Sequence, residues 1–180
     1  MQFANALTAV RLLLAIPFAY AISFPNWIGS EWVALMVGAA LISDYFDGPL
    51  ARATNSDSPA GMLFDHATDF FFVTVGLASA AHSELVTPFL WPLIIVAFGQ
   101  YVLDSRFLFK QKTLRMSFLG RWNGVLYFLP LVLISASRLP AFINFSQALE
   151  TATYYSSFIL LFSTLVSILD RALAPLREST

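Results

Sequence analysis

The sequence predicts an all-α, polytopic membrane protein: a six-transmembrane-helix bundle forming a single domain, 1–180, with both termini cytoplasmic. Three observations predict it. Hydrophobic residues make up 58% of the chain and charged residues only 12%, with a mean hydropathy of +0.71, where an ordinary soluble domain carries about 25% charged residues. Six apolar stretches of about 20 residues, the length that crosses a bilayer, follow one another with short connections. Of the 10 Lys and Arg, all but Arg138 fall on one side of a six-span arrangement. Positive residues mark the cytoplasmic side.

The first stretch is 6–24. Its Ala19-Tyr20-Ala21 is similar to a signal-peptide cleavage site. Against cleavage, Pro17 interrupts the apolar run, and Asn5, Thr8 and Arg11 recur at helical spacing, so a retained helix is expected. The second stretch, 31–53, follows the turn Phe24-Pro25-Asn26 and carries Asp44 and Asp47. Pro49 lies inside it and removes one backbone hydrogen bond, so a kink is expected there. The polar connection Asn55-Ser56-Asp57-Ser58-Pro59 leads to the third stretch, 60–81, with Asp65 and Asp69. The remaining stretches are 86–106, 119–137 and 150–172.

Trp27, Trp32, Trp91 and Trp122 fall near stretch ends, as interfacial anchors do. Phe70, Phe71 and Phe72 read as packing or lipid-facing residues. Arg11, Arg52, Arg106, Lys110, Lys112, Arg115, Arg121, Arg171 and Arg177 lie on the cytoplasmic side of this arrangement. The end of the second helix and the start of the third then open towards the cytoplasm.

Composition also excludes functions. The chain has no cysteine, so thiolate chemistry and disulfides are ruled out. With His66 and His82 as its 2 histidines, it cannot build a zinc site mainly from histidine and cysteine. The net charge of −1 says nothing about nucleic acid, no basic run suggests it, and no nucleic-acid partner is expected.

Four aspartates in apolar surroundings are the chemical centre of the chain. Asp44 and Asp47 are three residues apart and Asp65 and Asp69 four apart, so each pair shares a helix face. One Asp at the centre of a bilayer helix costs roughly 2.5–3.5 kcal/mol, and two facing pairs also repel. Cations must offset this, and hard divalent ions with oxygen ligands, Mg²⁺ or Mn²⁺, suit the donors. Two such ions balance four carboxylates and can then bind a diphosphate. Gly48 and Gly61 permit close approach of a neighbouring helix or a nucleotide, and Arg52 can reach a phosphate or hold the loop. His66 lies one step from each neighbouring aspartate row and is expected to face elsewhere; His82 reads as a loop residue.

In full the pattern is Asp44-x2-Asp47-Gly48-x2-Ala51-Arg52-x8-Gly61-x3-Asp65-x3-Asp69. It resembles the signature of the CDP-alcohol phosphotransferase (CDP-alcohol phosphatidyltransferase) family at all its specified positions. Asn5-Ala-Leu-Thr8-Ala-Val-Arg11 is similar to the opening of that family's first helix, without its common preceding proline. The resemblance implies a CDP-linked lipid donor, usually CDP-diacylglycerol, an alcohol acceptor, and release of CMP. Carried onto this chain, it makes Asp44, Asp47, Asp65 and Asp69 metal ligands, with Asp69 also the catalytic base, and Gly48, Ala51, Arg52 and Gly61 the nucleotide-binding positions.

Glycerol 3-phosphate is the leading expectation for the acceptor, with Arg106, Lys110 and Arg121 as candidate acceptor-binding residues. The same basic group can also serve topology and attraction to anionic lipid heads, and Asp104 can pair with it. Integral placement in a plasma or inner membrane, with the site facing the cytoplasm, and a homodimer are expected. An aminoalcohol phosphotransferase using a CDP-aminoalcohol and a lipid acceptor is the nearest alternative, favoured by Phe64-Asp65-His66. Further away stand a UbiA-like intramembrane prenyltransferase and a divalent-cation carrier.

Overall fold

The computed structural model describes residues 2–53, 59–103 and 118–178, with side chains described over 8–46, 61–103 and 119–173. Every regular element among them is helical: α1 (Gln2–Ser23), α2 (Ser30–Ala53), α3 (Pro59–His82), α4 (Leu90–Leu103), α5 (Phe118–Leu126), α6 (Phe128–Ser137), a 3₁₀ turn (Pro140–Phe145) and α7 (Ser146–Glu178). The helices lie where the six apolar stretches predict them. Leu119–Ser137 and Pro140–Leu173 are long and apolar enough to cross a membrane, whereas Thr8–Ser23 and Leu90–Leu103 are apolar but shorter.

Two differences from the expected elements have local causes, and a third is one of length. The fourth helix begins at Leu90 because α3 closes in a left-handed turn: Glu84 has φ 59°. There Leu85 N–H donates to Ala80 O at 2.9 Å and Glu84 N–H to Ala81 O at 3.1 Å, the two bonds of a Schellman cap. The fifth stretch is divided at Tyr127. Pro130 has no N–H to give the carbonyl four residues earlier, so the helical ladder is interrupted just there. The last helix is longer than expected. α2 remains helical past Pro49 to Ala53.

α1 packs most extensively on α3 and α2, α6 on α7, and α4 joins α3 to α7. The core is an aromatic ladder across three helices. Phe18 of α1 stacks on Phe72 of α3 at 5.0 Å, and Phe72 on Phe128 of α6 at 5.8 Å. Gly76 permits this closeness: a Cβ there would lie 3.0 Å from Leu131 Cδ1 and 3.2 Å from Phe18 Cε1. Below the ladder Ser23 and Ser79 share a 2.6 Å hydrogen bond, and Ser79 Oγ also donates to Ala19 O. Arg138, the residue expected on the opposite face, donates to Ala21 O and Ile22 O at 2.9 Å each. Those carbonyls at the end of α1 would otherwise lack intrahelical donors. Tyr127 Oη and Thr164 Oγ1 lie 2.7 Å apart, and Ser163 Oγ donates to Asn123 Oδ1 at 2.7 Å, fixing the α5–α6 junction on α7.

Candidate active site

The ladder holds α1 on α3, and α2 packs on α1, so that three aspartates of the sequence pattern converge. Asp44 comes from α2, Asp65 and Asp69 from successive turns of α3. One carboxylate oxygen from each can be chosen so that all three lie within 4.8 Å of one another. Such a cluster can hold a hard cation. Just before Asp44, Ser43 Oγ donates to Ala40 O at 2.9 Å; just before Asp69, Thr68 Oγ1 donates to Phe64 O at 2.8 Å. Both hydroxyls are thereby turned into their own helices.

Arg11 of α1 stands among the three. Nη1 donates to Asp44 Oδ1 at 3.0 Å and to Asp69 Oδ1, and Nη2 donates to Asp65 Oδ1 at 2.5 Å. The Arg11 side chain is 0% exposed, against 41%, 29% and 23% for Asp44, Asp65 and Asp69. The carboxylates thus face open space on one side and a buried guanidinium on the other. Sequence reasoning counted Arg11 among the topology-setting cations. The signs of more in the sequence are its place in the polar row with Asn5 and Thr8 and the likeness of that stretch to the opening of the family's first helix.

That open space is a cavity of about 280 Å³. Its wall includes Asp44, Asp65 and Asp69 together with Gln100, Arg121 and Arg171. Arg121, a candidate acceptor-binding residue by sequence, thus borders the same cavity as the aspartates. Arg171, expected only to set topology, joins it, its Cζ 5.1 Å from the centre of the Tyr101 ring. His66 also lines the cavity, with its ring 6.3 Å from that of Tyr101, which corrects the expectation that it faces elsewhere. The cavity is wider than one row of a helix: Asp65, His66, Asp69, Phe70 and Val73 all border it from α3. Phe70 stacks on Phe98 at 4.1 Å within the wall, while Phe72 is core.

Gln100 was not singled out by sequence. Its Nε2 donates to Ile168 O on α7 at 3.2 Å. Because a carbonyl only accepts, this bond fixes which end of the amide is nitrogen. Oε1 is then buried without a hydrogen-bond partner among the described residues. Gly61 is half-buried in the first turn of α3. The side chains of Asp47, Gly48, Ala51 and Arg52 lie outside the described ones, and Arg106 and Lys110 lie outside the described residues.

Fold and site define a class: an apolar helical protein that sets a carboxylate cluster suited to a hard cation against a cavity bearing guanidinium groups. The chain belongs to the CDP-alcohol phosphatidyltransferase family, whose model matches residues 1–169. It is 28% identical over 139 residues to a cardiolipin synthase (CMP-forming) of Streptomyces coelicolor, covering 73% of this chain and 64% of that protein. It is 27% identical over 156 residues to a CDP-diacylglycerol–glycerol-3-phosphate 3-phosphatidyltransferase of Mycoplasma genitalium, covering 73% and 63%. A protein of the same description from Cereibacter sphaeroides is 27% identical over 124 residues, covering 66% and 56%. The chain therefore spans between 56% and 64% of the length of these relatives. No solved structure matches it.

Proposed function

We propose that residues 1–180 form one six-span membrane domain that transfers a phosphatidyl group from CDP-diacylglycerol to a small phosphorylated alcohol, releasing CMP, with glycerol 3-phosphate as the acceptor. The observation that carries this is the meeting of Asp44, Asp65 and Asp69 in one cavity with Arg121 and Arg171. Carboxylates supply the cation site that a diphosphate donor needs, and guanidinium groups suit a phosphate-bearing acceptor. The two relatives named for CDP-diacylglycerol and glycerol 3-phosphate support the same donor and acceptor, and none of the three is named for an aminoalcohol. Family membership also favours this reading over a prenyltransferase or a cation carrier.

In this reading Asp44, Asp47, Asp65 and Asp69 hold two divalent ions, Mg²⁺ or Mn²⁺. The bound ions supply positive charge for the diphosphate and the departing CMP. Asp69 takes the proton of the acceptor hydroxyl as its oxygen bonds to the phosphorus that carries diacylglycerol. The bond from that phosphorus to CMP breaks, and CMP leaves with the electron pair. Gly48, Ala51, Arg52 and Gly61 form the nucleotide side. Arg121 and Arg171, with Arg106 and Lys110, attract the acceptor phosphate, and Gln100 Oε1 accepts a hydrogen bond from an acceptor hydroxyl. The site opens to the cytoplasm, both termini lie on that side, and the protein works as a homodimer.

A second reading has a specific support: the cardiolipin synthase relative. In it the phosphate-bearing acceptor is itself a lipid, phosphatidylglycerol. The purified protein in detergent, given radiolabelled CDP-diacylglycerol and Mg²⁺, should release CMP and label the product of glycerol 3-phosphate. Label appearing only with phosphatidylglycerol selects the second reading. CMP release with neither, or undiminished turnover in excess EDTA, defeats both.

A further inference from the structure

We propose that Arg11 is a positioning residue: a resident cation that holds the three carboxylates together without metal and competes with the first divalent ion for them. The proposal rests on the metal-binding reading of the aspartates given above. It starts from charge. Three carboxylates within reach of one another repel, yet here they point at one place from two helices. A third helix supplies the compensating charge, with the guanidinium of Arg11 reaching all three.

Arg11 is completely buried, whereas each of its partners keeps part of its surface on the cavity. A buried arginine cannot shed its proton to relieve the cost of burial. It must therefore stay paired, and the carboxylates are held to it. Among the described side chains, three carboxylates meet this one guanidinium, so the group it holds stays net negative. The cluster is thus balanced well enough to fold without metal and remains attractive to it.

An arriving ion meets the carboxylates with part of their charge already satisfied. Each hydrogen bond that Arg11 makes to a carboxylate lowers what that group offers a metal, and the guanidinium also repels the ion across a short, poorly screened distance. Arg11 accordingly weakens metal binding while stabilising the metal-free site. A residue serving only to pack α1 would do neither. Arg138 makes the contrast: it too is on the α1 surface, but it binds backbone carbonyls and not carboxylates.

The test uses the full chain in detergent, stripped with EDTA, and Mn²⁺ alone as the probe. Binding is read by calorimetry or by the electron paramagnetic resonance of free Mn²⁺, and thermal midpoints are read with and without the ion. Arg11→Gln should bind the first Mn²⁺ at least about tenfold more tightly than the parent. Its metal-free midpoint should fall, and its midpoint should rise more on adding Mn²⁺. Arg11→Lys keeps the charge without the planar fork and should lie between the two. If Arg11→Gln is folded only with Mn²⁺, that also supports a resident cation. If it folds in neither condition, Arg11→Gln with Asp69→Asn decides: removing one negative charge should restore a folded metal-free protein.

Equal or weaker Mn²⁺ binding by a folded Arg11→Gln overturns the competition, and so does failure of the double variant to recover. If the parent binds no Mn²⁺ at millimolar concentration, the metal reading itself falls and this proposal falls with it. That result is distinct from a parent that binds while Arg11→Gln shows no gain.

Discussion

The guanidinium of Arg171 lies over the ring of Tyr101, 5.1 Å from its centre, joining the last helix to α4 at the wall of the cavity. A ring face under a cation steadies it by about 0.5–2 kcal/mol. Tyr101→Leu removes the face and should raise KM for glycerol 3-phosphate by several-fold to about twentyfold, with a smaller effect on kcat. Tyr101→Phe keeps the face and should stay within about twofold of the parent. Steady-state kinetics with varied acceptor provides the check; equal KM values for the parent and Tyr101→Leu would remove Arg171 from acceptor binding.

Asp69→Asn separates a base from a ligand. It keeps the size and one coordinating oxygen but removes basicity and a charge. Turnover should drop by about 10²–10⁴-fold, the range for a lost general base, while binding of CDP-diacylglycerol persists. Asp44→Asn should instead weaken metal binding, and raising Mg²⁺ should recover part of its rate. The measurement is turnover against Mg²⁺ concentration for both variants. Complete recovery of Asp69→Asn at high Mg²⁺ would make it chiefly a ligand.

Topology can be tested cleanly because the chain has no cysteine of its own. Cysteines placed at Ser56 and Gln111 should react with an impermeant maleimide added from the cytoplasmic side, and one at Asn26 from the other. The reverse pattern would put the aspartates out of reach of a cytoplasmic nucleotide.

The cap of α3 carries a strain that glycine would relieve. Glu84 sits at φ 59°, in the left-handed region that costs an ordinary L-residue about 1–2 kcal/mol. Glu84→Gly should raise the thermal midpoint by a few degrees without altering activity, since the residue is remote from the carboxylate cavity. A thermal scan in detergent reads it, and a lowered midpoint would mean that the Glu84 side chain contributes more than its backbone costs.

Much of the site was legible because it is written locally. Asp44, Asp65 and Asp69 are fixed by helical spacing and by the cost of burying charge, and the structure brings these three together. Arg121, singled out by its place at a helix end, lies in the same cavity wall. Arg11 could not be assigned in the same way, because its partners lie 33, 54 and 58 residues along the chain. A helical repeat predicts neighbours three or four residues away, and says nothing of which helix will lie alongside. His66 was misjudged because a single row of α3 stood in for the broader strip that borders the cavity. Gln100 gave no signal at all: its importance comes from which atom is left over after Nε2 has bonded to Ile168 O. The break before Pro130 was available from the sequence, since a proline inside an apolar stretch withdraws a donor wherever it falls.

The pairing of Arg11 with later aspartates also bears on how the protein is made. α1 is synthesised first, and its arginine emerges before any of the carboxylates that neutralise it. A charged side chain taken out of water without a partner is costly, and Arg11 meets its first partner on α2, at Asp44, and two more on α3, at Asp65 and Asp69. The burial of Arg11 and the closing of α1 against α2 and α3 are therefore one event in folding. The carboxylate cluster is the bond that seats them.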